Sequence, residues 1–536
     1  MNKSLNKTIL LIVPIVIFII EYFFIRKIYP LYQDSDPAYQ YLLNGLLILN
    51  GHSPFHIDHP GTPVQTLIAG VLYASWSIGK IAGVVHHTLD LSVGTYAERY
   101  LLIISYVLVL LNCVASYILG HRILQSTLKI GLAFFVQASA VAFGVVFARM
   151  AYPEPESLLI FGSMLLIASL APSIFYNVAI QHKPSTLAAI LPGLICGFGV
   201  AIKLTFIPML AMLFLLRSSK SIALSLGAAA ASWLVCISPM IKELPRFFNW
   251  VSGIATHSGH YGSGKAEFID PKEILPRLRF LFDLFELWFV VAFCLFCIAA
   301  GLAGLALFKT YQHQPSRLRP KVLLSLAFTP LVLCLICIAQ VILVLKHPGA
   351  RYMIPALIIQ AVGIAWILSK LPEQHRLTKL STLGFWMLGL VGLSLMINGA
   401  LGSYRQLSAE RKIFDTDMSQ IQKAITTYDN PIVMGTYGCR LPKCALSFGL
   451  GYAPATNPQV GALLTDFLDF NIWAKKLVIK GRGFYELDLV AQELDKKRPV
   501  LLVTNQPAEQ LKSFNLKLIY TGPAQSLYHV IGLNPY

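Results

Sequence analysis

Charge is scarce in this sequence. Charged residues make up 13% of its 536 positions, against roughly 25% in a soluble domain. With 56% hydrophobic residues, such a chain cannot cover a water-facing surface, and it reads as a polytopic membrane protein. Acids are scarcer than bases: 26 Asp and Glu face 43 Lys and Arg, a net charge of +17. That excess does not point to nucleic acid. The bases sit in short spacers between apolar runs, where they hold helix ends on the cytoplasmic side. The sequence also lacks internal repeats and low-complexity tracts. Its first apolar run, "TILLIVPIVIFIIEYFFI" after Lys3 and Lys7, has no small-residue cleavage site and is too long for a signal peptide, so a retained span is expected.

What is present is a series of apolar runs near the length a bilayer requires, about 20 residues each. Eleven are expected to span: 8–28, 98–119, 129–148, 156–172, 187–202, 204–217, 221–241, 283–308, 322–345, 352–369 and 380–402. With the N-terminus inside, basic spacers such as Arg317, Arg319 and Lys321 fall on the inner side, whose only acid is Glu373. The stretch 61–84, opened by Pro63 and carrying Trp76, would reverse that pattern if it spanned. It is therefore expected to lie in the interface. After residue 403 polar residues return. Strand-like runs "NPIVMG", "RPVLLVT" and "KLIYTG" alternate there with helical patterns such as "VAQELDKK". The expectation is an all-α polytopic membrane domain over 1–402, with about eleven transmembrane helices plus interfacial ones, and a small extracytoplasmic α/β domain over 403–536. Cys439 and Cys444, in "CRLPKC", suit a local disulfide in an oxidising compartment. The other seven Cys lie in apolar runs, as buried small residues do.

"GHYGSGK", 259–265, has the spacing of a phosphate-binding loop but lacks its hydroxyl. Ala266 follows, no strand precedes and no clear helix follows, which excludes the nucleotide reading. A Gly-rich outer loop remains, bearing His257, His260, Tyr261 and Lys265 and able to close over a ligand.

Four further polar clusters map to the outer face. The first holds Asp34 and Asp36 with "HIDHPGTP" (His56, Asp58, His59). "ARMAYPEPES" holds Arg149, Glu154 and Glu156. Lys203 stands in "GVAIKLTF", and "KHPGARYMIP" holds Lys346, His347, Arg351 and Tyr352. Each has a plainer reading: a helix cap for Asp36 before Pro37, an interfacial pair for Arg149 and Glu154, snorkelling for Lys346 and Arg351. Lys203 resists it, because an ionisable group among apolar residues is costly and faces a pocket. Together the clusters suit group transfer from a membrane phosphate. A carboxylate removes a proton from an incoming hydroxyl, and Lys and Arg hold the leaving phosphate. His and a second carboxylate position the acceptor or hold a divalent metal.

These residues resemble the polytopic GT-C glycosyltransferases that use lipid-phosphate sugar donors, the superfamily of protein O-mannosyltransferases and the aminoarabinose transferase of lipid A. The resemblance rests on "DSDPAY", "HPGTP", "GVAIK" after "GLICGF", and "HPGARYMIP", and it covers nearly all of 1–402. It departs at Asp34-Ser-Asp36, where the family has adjacent Asp-Glu, and at His59-Pro60-Gly61, where it has His-Pro-Pro. The resemblance implies an inverting transfer at the outer face of a bacterial inner membrane. Asp36 or Asp34 would be the base, and Lys203, Arg351, Lys346 and Arg149 would take the donor phosphate. Asp58, His59 and Glu154 would line the acceptor side, with His257, Tyr261 and Tyr352 on the substrate. The partners implied are a polyprenyl-phosphate-linked sugar, a glycan, lipid or protein acceptor, and membrane lipids. The alternative is a transporter or flippase of lipid-linked sugars, which tends to show paired halves and interrupted helices near the midplane.

Overall fold

The computed structural model describes residues 8–26, 31–58, 60–175, 185–259, 263–311, 320–369, 378–454, 458–472, 474–479, 483–485 and 487–534. His59, His260 and Tyr261 lie outside them. The chain forms two compact units. One gathers Met1–Glu21, Ile57–Pro63 and Val107–Ser403; the other gathers Tyr22–His56, Val64–Tyr106 and Tyr404–Tyr536. The helices are α1 (Ile12–Ile20), α2 (Ser35–Leu49), α3 (Thr62–Ile81), α4 (Leu89–Thr95), α5 (Ala97–Thr127), α6 (Ile130–Ser139), α7 (Gly144–Arg149), α8 (Pro155–Ile174), α9 (Thr186–Ile202) and α10 (Ser219–Ile237). They continue with α11 (Leu244–Thr256), α12 (Pro271–Tyr311), α13 (Pro320–Leu345), α14 (Ile354–Ser369), α15 (Thr378–Ile425), α16 (Pro442–Gly451), α17 (Pro458–Ala462) and α18 (Asp488–Asp495).

Among the described residues six helical stretches are long and apolar enough to cross a membrane, within α5, α8, α10–α11, α12, α13 and α14. The chain is an integral membrane protein. The interfacial candidate is a regular 20-residue helix, α3, and is not among the six. Five of the eleven expected spans, 8–28, 129–148, 187–202, 204–217 and 380–402, are not among the six. The run 129–148 is broken between α6 and α7, with non-helical backbone at Phe143. Leu204–Leu216 winds as a 3-10 helix. At about 2.0 Å per residue such a helix reaches about 26 Å, where an α-helix of the same length would reach about 20 Å. A short sequence thereby comes closer to the hydrocarbon thickness of about 30 Å.

In the first unit, α9 and α10 meet through missing side chains. A Cβ on Gly193 would lie 2.0 Å from the Ser225 carbonyl oxygen, and one on Gly197 would lie 2.1 Å from that of Ala229. Two glycines four apart thus let the backbones touch, as small residues do between membrane helices. The Ser225 hydroxyl donates to the Ala189 carbonyl at 2.6 Å and that of Ser232 to the Leu194 carbonyl at 2.8 Å. This close pair fixes the end of α9, where Lys203 stands.

The second unit carries a seven-stranded sheet in the order β4-β3-β2-β1-β5-β7-β6. Its strands are β1 (Ile432–Thr436), β2 (Phe467–Asn471), β3 (Lys476–Ile479), β4 (Gly483–Tyr485), β5 (Val500–Thr504), β6 (Phe514–Thr521) and β7 (Ser526–Leu533). β1 runs parallel to β2 and β5, and the remaining pairs are antiparallel. β5 is buried along its whole length, which is why "VLLVT" reads as a continuous apolar run. Met434, Phe470, Leu502, Phe514 and Val530 form its core, each contributing about 1.5–3 kcal/mol by burial. α16 lies against α2, so closely that a Cβ on Gly449 would meet the Tyr39 carbonyl oxygen at 2.8 Å. Residues expected to form a separate tail domain therefore fold together with the segment that carries the acidic motif.

Candidate active site

In the first unit a buried carboxylate pair collects three cations. Glu154 stands at the N-cap position of α8 without a side-chain capping bond, with Pro155 opening the helix and Glu156 in its first turn. Acids are stabilised there by the helix dipole and its unpaired N–H groups. Lys203 sits in extended conformation between α9 and the 3-10 helix, Arg149 ends α7, and Arg351 lies on the 3-10 turn Ala350–Met353 that precedes α14. Lys203 Nζ donates to Glu156 Oε1 at 2.5 Å, and Arg149 Nη1 to Glu154 Oε2 at 3.0 Å. Arg351 bridges both acids, with Nη1 3.8 Å from Glu154 and Nε 3.8 Å from Glu156. The Lys203 ammonium also stands 4.5 Å above the Tyr352 ring, a cation–π contact that replaces part of its lost hydration.

Burial separates the roles within this cluster. The side chains of Glu154, Glu156 and Lys203 are at most 3% exposed, while those of Arg149 and Arg351 keep 28% and 33%. Two carboxylates in the interior thus anchor two guanidinium groups that still reach the surface. Among the described residues that pair here, three cations stand against two acids, an arrangement suited to an anion. Burial and the neighbouring Glu156 charge raise the Glu154 carboxyl above the usual carboxylate range, against the pull of Arg149.

The "HPGTP" segment reaches the same region through backbone. Gly61, at φ +68°, donates its N–H to the Ile202 carbonyl at 3.1 Å, directly beside Lys203. Ile57 packs against Ala201, Ile237, Met240 and Phe247. Asp58 next to it is partly buried, and that burial raises its carboxyl despite the charge of Arg246.

Lys346 is not in the cluster. Its ammonium donates to the backbone carbonyls of His257 and Phe268 and lies 4.7 Å over the Phe268 ring. Arg277 donates to the carbonyls of Leu345 and Lys346. His257 turns its ring to the Thr256 hydroxyl, 2.9 Å away. Lys346 therefore joins His257 to Phe268, the residues on either side of the Gly-rich stretch. Glu156, named in the second polar cluster but given no role of its own there, is the acid that holds Lys203.

In the second unit Asp34 ends a 3-10 helix, Leu31–Asp34. Asp36 has φ −95° and ψ 112°, outside the helical region, as expected for a residue before proline. It is exposed, while Tyr39, Tyr41, Leu42 and Leu43 behind it are buried. Asn44 joins the surroundings: its amide donates to the carbonyls of Gln40 and Tyr452, and its oxygen accepts the N–H groups of Phe55 and His56. The His56 ring is flanked edge-on by Tyr41 and Tyr452, each at 5.4 Å. Cys439 and Cys444 are joined in a disulfide at the start of α16. Among the described residues no three His, Cys, Asp or Glu come together as a metal site.

No family model matches the sequence, and no curated protein does. Solved structures do match. The crystal structure of ArnT from Cupriavidus metallidurans bound to undecaprenyl phosphate aligns at TM-score 0.50 and 11% identity, over 98% of this chain and 97% of that one. The same protein in the apo state aligns at 0.49 and 12% identity, over 92% and 93%. At such identity the likeness is one of fold. Over nearly its full length this chain has the fold of ArnT.

Proposed function

We propose that the chain is an inverting glycosyltransferase that moves a sugar from a polyprenyl-phosphate donor to an acceptor hydroxyl on the outer face of the membrane. The observation that carries this reading is the grouping of three cations, Arg149, Lys203 and Arg351, on two buried glutamates, with guanidinium groups at the surface. Arg pairs with phosphate in a bidentate fashion, and a fixed cation stabilises a leaving phosphate without reorganising.

In the reaction, Asp36 or Asp34 takes the proton of the acceptor hydroxyl. The acceptor oxygen then bonds to the anomeric carbon as the bond from that carbon to the phosphate oxygen breaks. Polyprenyl phosphate departs with the electron pair, and Arg149, Lys203 and Arg351 meet its charge. Asp58, beside the end of α9, is assigned to the acceptor. Lys346 is assigned to holding the loop, because two carbonyls already occupy its ammonium. A lipid-borne donor accounts for a catalyst embedded in the bilayer. The disulfide suits an oxidising compartment outside a bacterial inner membrane, where residues 403–536 would also lie.

Product binding tests the phosphate assignment. Undecaprenyl phosphate should raise the thermal unfolding midpoint of the full-length protein in detergent, as any ligand of the native state does. Arg351→Met should lose most of that shift. An equal shift in wild type and Arg351→Met, or none in wild type, contradicts the assignment.

A further inference from the structure

The acidic turn of the second unit is held by a residue far from it in sequence. Glu98, in the first turn of α5, accepts the Leu31 N–H on Oε2 at 2.8 Å and the Tyr39 hydroxyl on Oε1 at 2.7 Å. The Tyr32 backbone donates to it as well. Leu31 and Tyr32 open the 3-10 helix that ends at Asp34, and Tyr39 lies three residues past Asp36. One carboxylate therefore grips both ends of the nine-residue stretch that carries both candidate bases. The first N–H groups of a helix have no partner within it, and a negative charge is the strongest acceptor for them. Asp36 stands between these two grips, exposed and outside helical geometry.

We infer that Glu98 is a positioning residue for this turn. It rests on the transferase reading above: Glu98 holds the backbone on either side of Asp34 and Asp36 so that one of them meets the acceptor hydroxyl, and it does not itself touch substrate. Tyr39 is its partner in this task.

A shift of about 1 Å at a reacting group costs on the order of 100-fold in rate. Glu98→Ala should therefore lower kcat by about 100-fold, with donor KM within about threefold of wild type, the mark of an effect confined to the transition state. Tyr39→Phe removes one of the two grips and should cost about tenfold. Glu98→Ala/Tyr39→Phe should be no slower than Glu98→Ala alone, because the two residues act as one unit. Glu98→Gln keeps an acceptor and should recover part of the rate.

The assay is release of free undecaprenyl phosphate by the full-length protein in nanodiscs. The substrates are undecaprenyl-phosphate-linked hexoses and pentoses, with a cell-envelope extract as acceptor. A purely structural role predicts instead that kcat per folded molecule stays at the wild-type value, or that the two substitutions multiply; either overturns the inference. Should Glu98→Ala not fold, Glu98→Gln and Tyr39→Phe carry the same test, and wild-type kcat in both overturns it. No turnover by wild type on any donor overturns the transferase reading and this assignment together. Wild-type turnover that Glu98→Ala leaves intact overturns the assignment alone.

Discussion

Lys203 and Glu156 form a pair whose stability and function can be separated experimentally. Both side chains are nearly sealed from solvent, at 3% and 1% exposure, and their charged atoms are 2.5 Å apart. Removing one partner strands the other as a buried charge, at about 3–5 kcal/mol. The cost is softened for Lys203→Met, since Arg351 stays 3.8 Å from Glu156. It is larger for Glu156→Gln, because among the described residues no second acid lies within salt-bridge distance of the Lys203 ammonium and Glu154 acts on it only from farther off. Glu156→Gln should therefore lower the thermal unfolding midpoint more than Lys203→Met. The double variant, which removes both charges, should recover most of the loss, as replacement of whole buried pairs does. Activity should behave differently. Loss of a fixed charge at a leaving phosphate costs on the order of 100- to 1000-fold in kcat, and the double variant lacks that charge too. The assays are scanning unfolding in detergent and undecaprenyl phosphate release in nanodiscs. A double variant that regains wild-type turnover along with its stability would show that Lys203 serves only the fold. Single variants that unfold with the wild type would refute the pairing.

Other substitutions probe the scaffold. Gly197→Leu places a Cβ about where the Ala229 carbonyl oxygen stands, 2.1 Å away, so this variant should elute from size exclusion as aggregate while Gly227→Ala, with open space at its Cβ, elutes normally. Asp417, fully buried, accepts the Tyr520 hydroxyl and the N–H groups of Ala524 and Gln525. Asp417→Ala should destabilise the second unit by about 1–3 kcal/mol for each buried donor left unpaired, read as faster amide exchange across β6 and β7; unchanged exchange would refute this. Asn44→Leu removes the four bonds that join α2, the Phe55–His56 turn and Tyr452. It should bring local unfolding of α16, visible as new protease cleavage there, and an unaltered cleavage pattern would refute it.

How much of this was legible depends on the signal each feature leaves. Membrane helices show plainly because the bilayer demands long apolar runs. The central strands β1 and β5 and the edge strand β6 were readable as "NPIVMG", "RPVLLVT" and "KLIYTG", since strand residues recur there without interruption. β2, "FLDFN", was not: its Asp469 pairs with the Ser447 hydroxyl at 2.8 Å, a partner that only the folded chain supplies. α15 runs through residue 403 to Ile425, so the composition change at 403 falls within one helix and marks no break in secondary structure. For the site, Arg149, Glu154, Lys203, Arg351 and Tyr352 were singled out individually, since charge in apolar surroundings is conspicuous. Of their pairings only Arg149 with Glu154, five residues apart, was read; helix ends 47 residues apart in sequence, such as those bearing Glu156 and Lys203, meet only through tertiary packing. Lys346 was grouped with Lys203 by the resemblance alone; its ammonium binds backbone carbonyls, which leave no mark in sequence.

The most direct test of the central claim is donor consumption by wild type, Asp34→Asn and Asp36→Asn, each reconstituted in nanodiscs with the undecaprenyl-phosphate sugars and an envelope extract. The account predicts that wild type releases free undecaprenyl phosphate from at least one donor, and that one of the two Asp variants, still folded, abolishes the release. Transbilayer movement of the intact lipid-sugar by wild-type protein, with no undecaprenyl phosphate set free, would contradict it and identify a transporter.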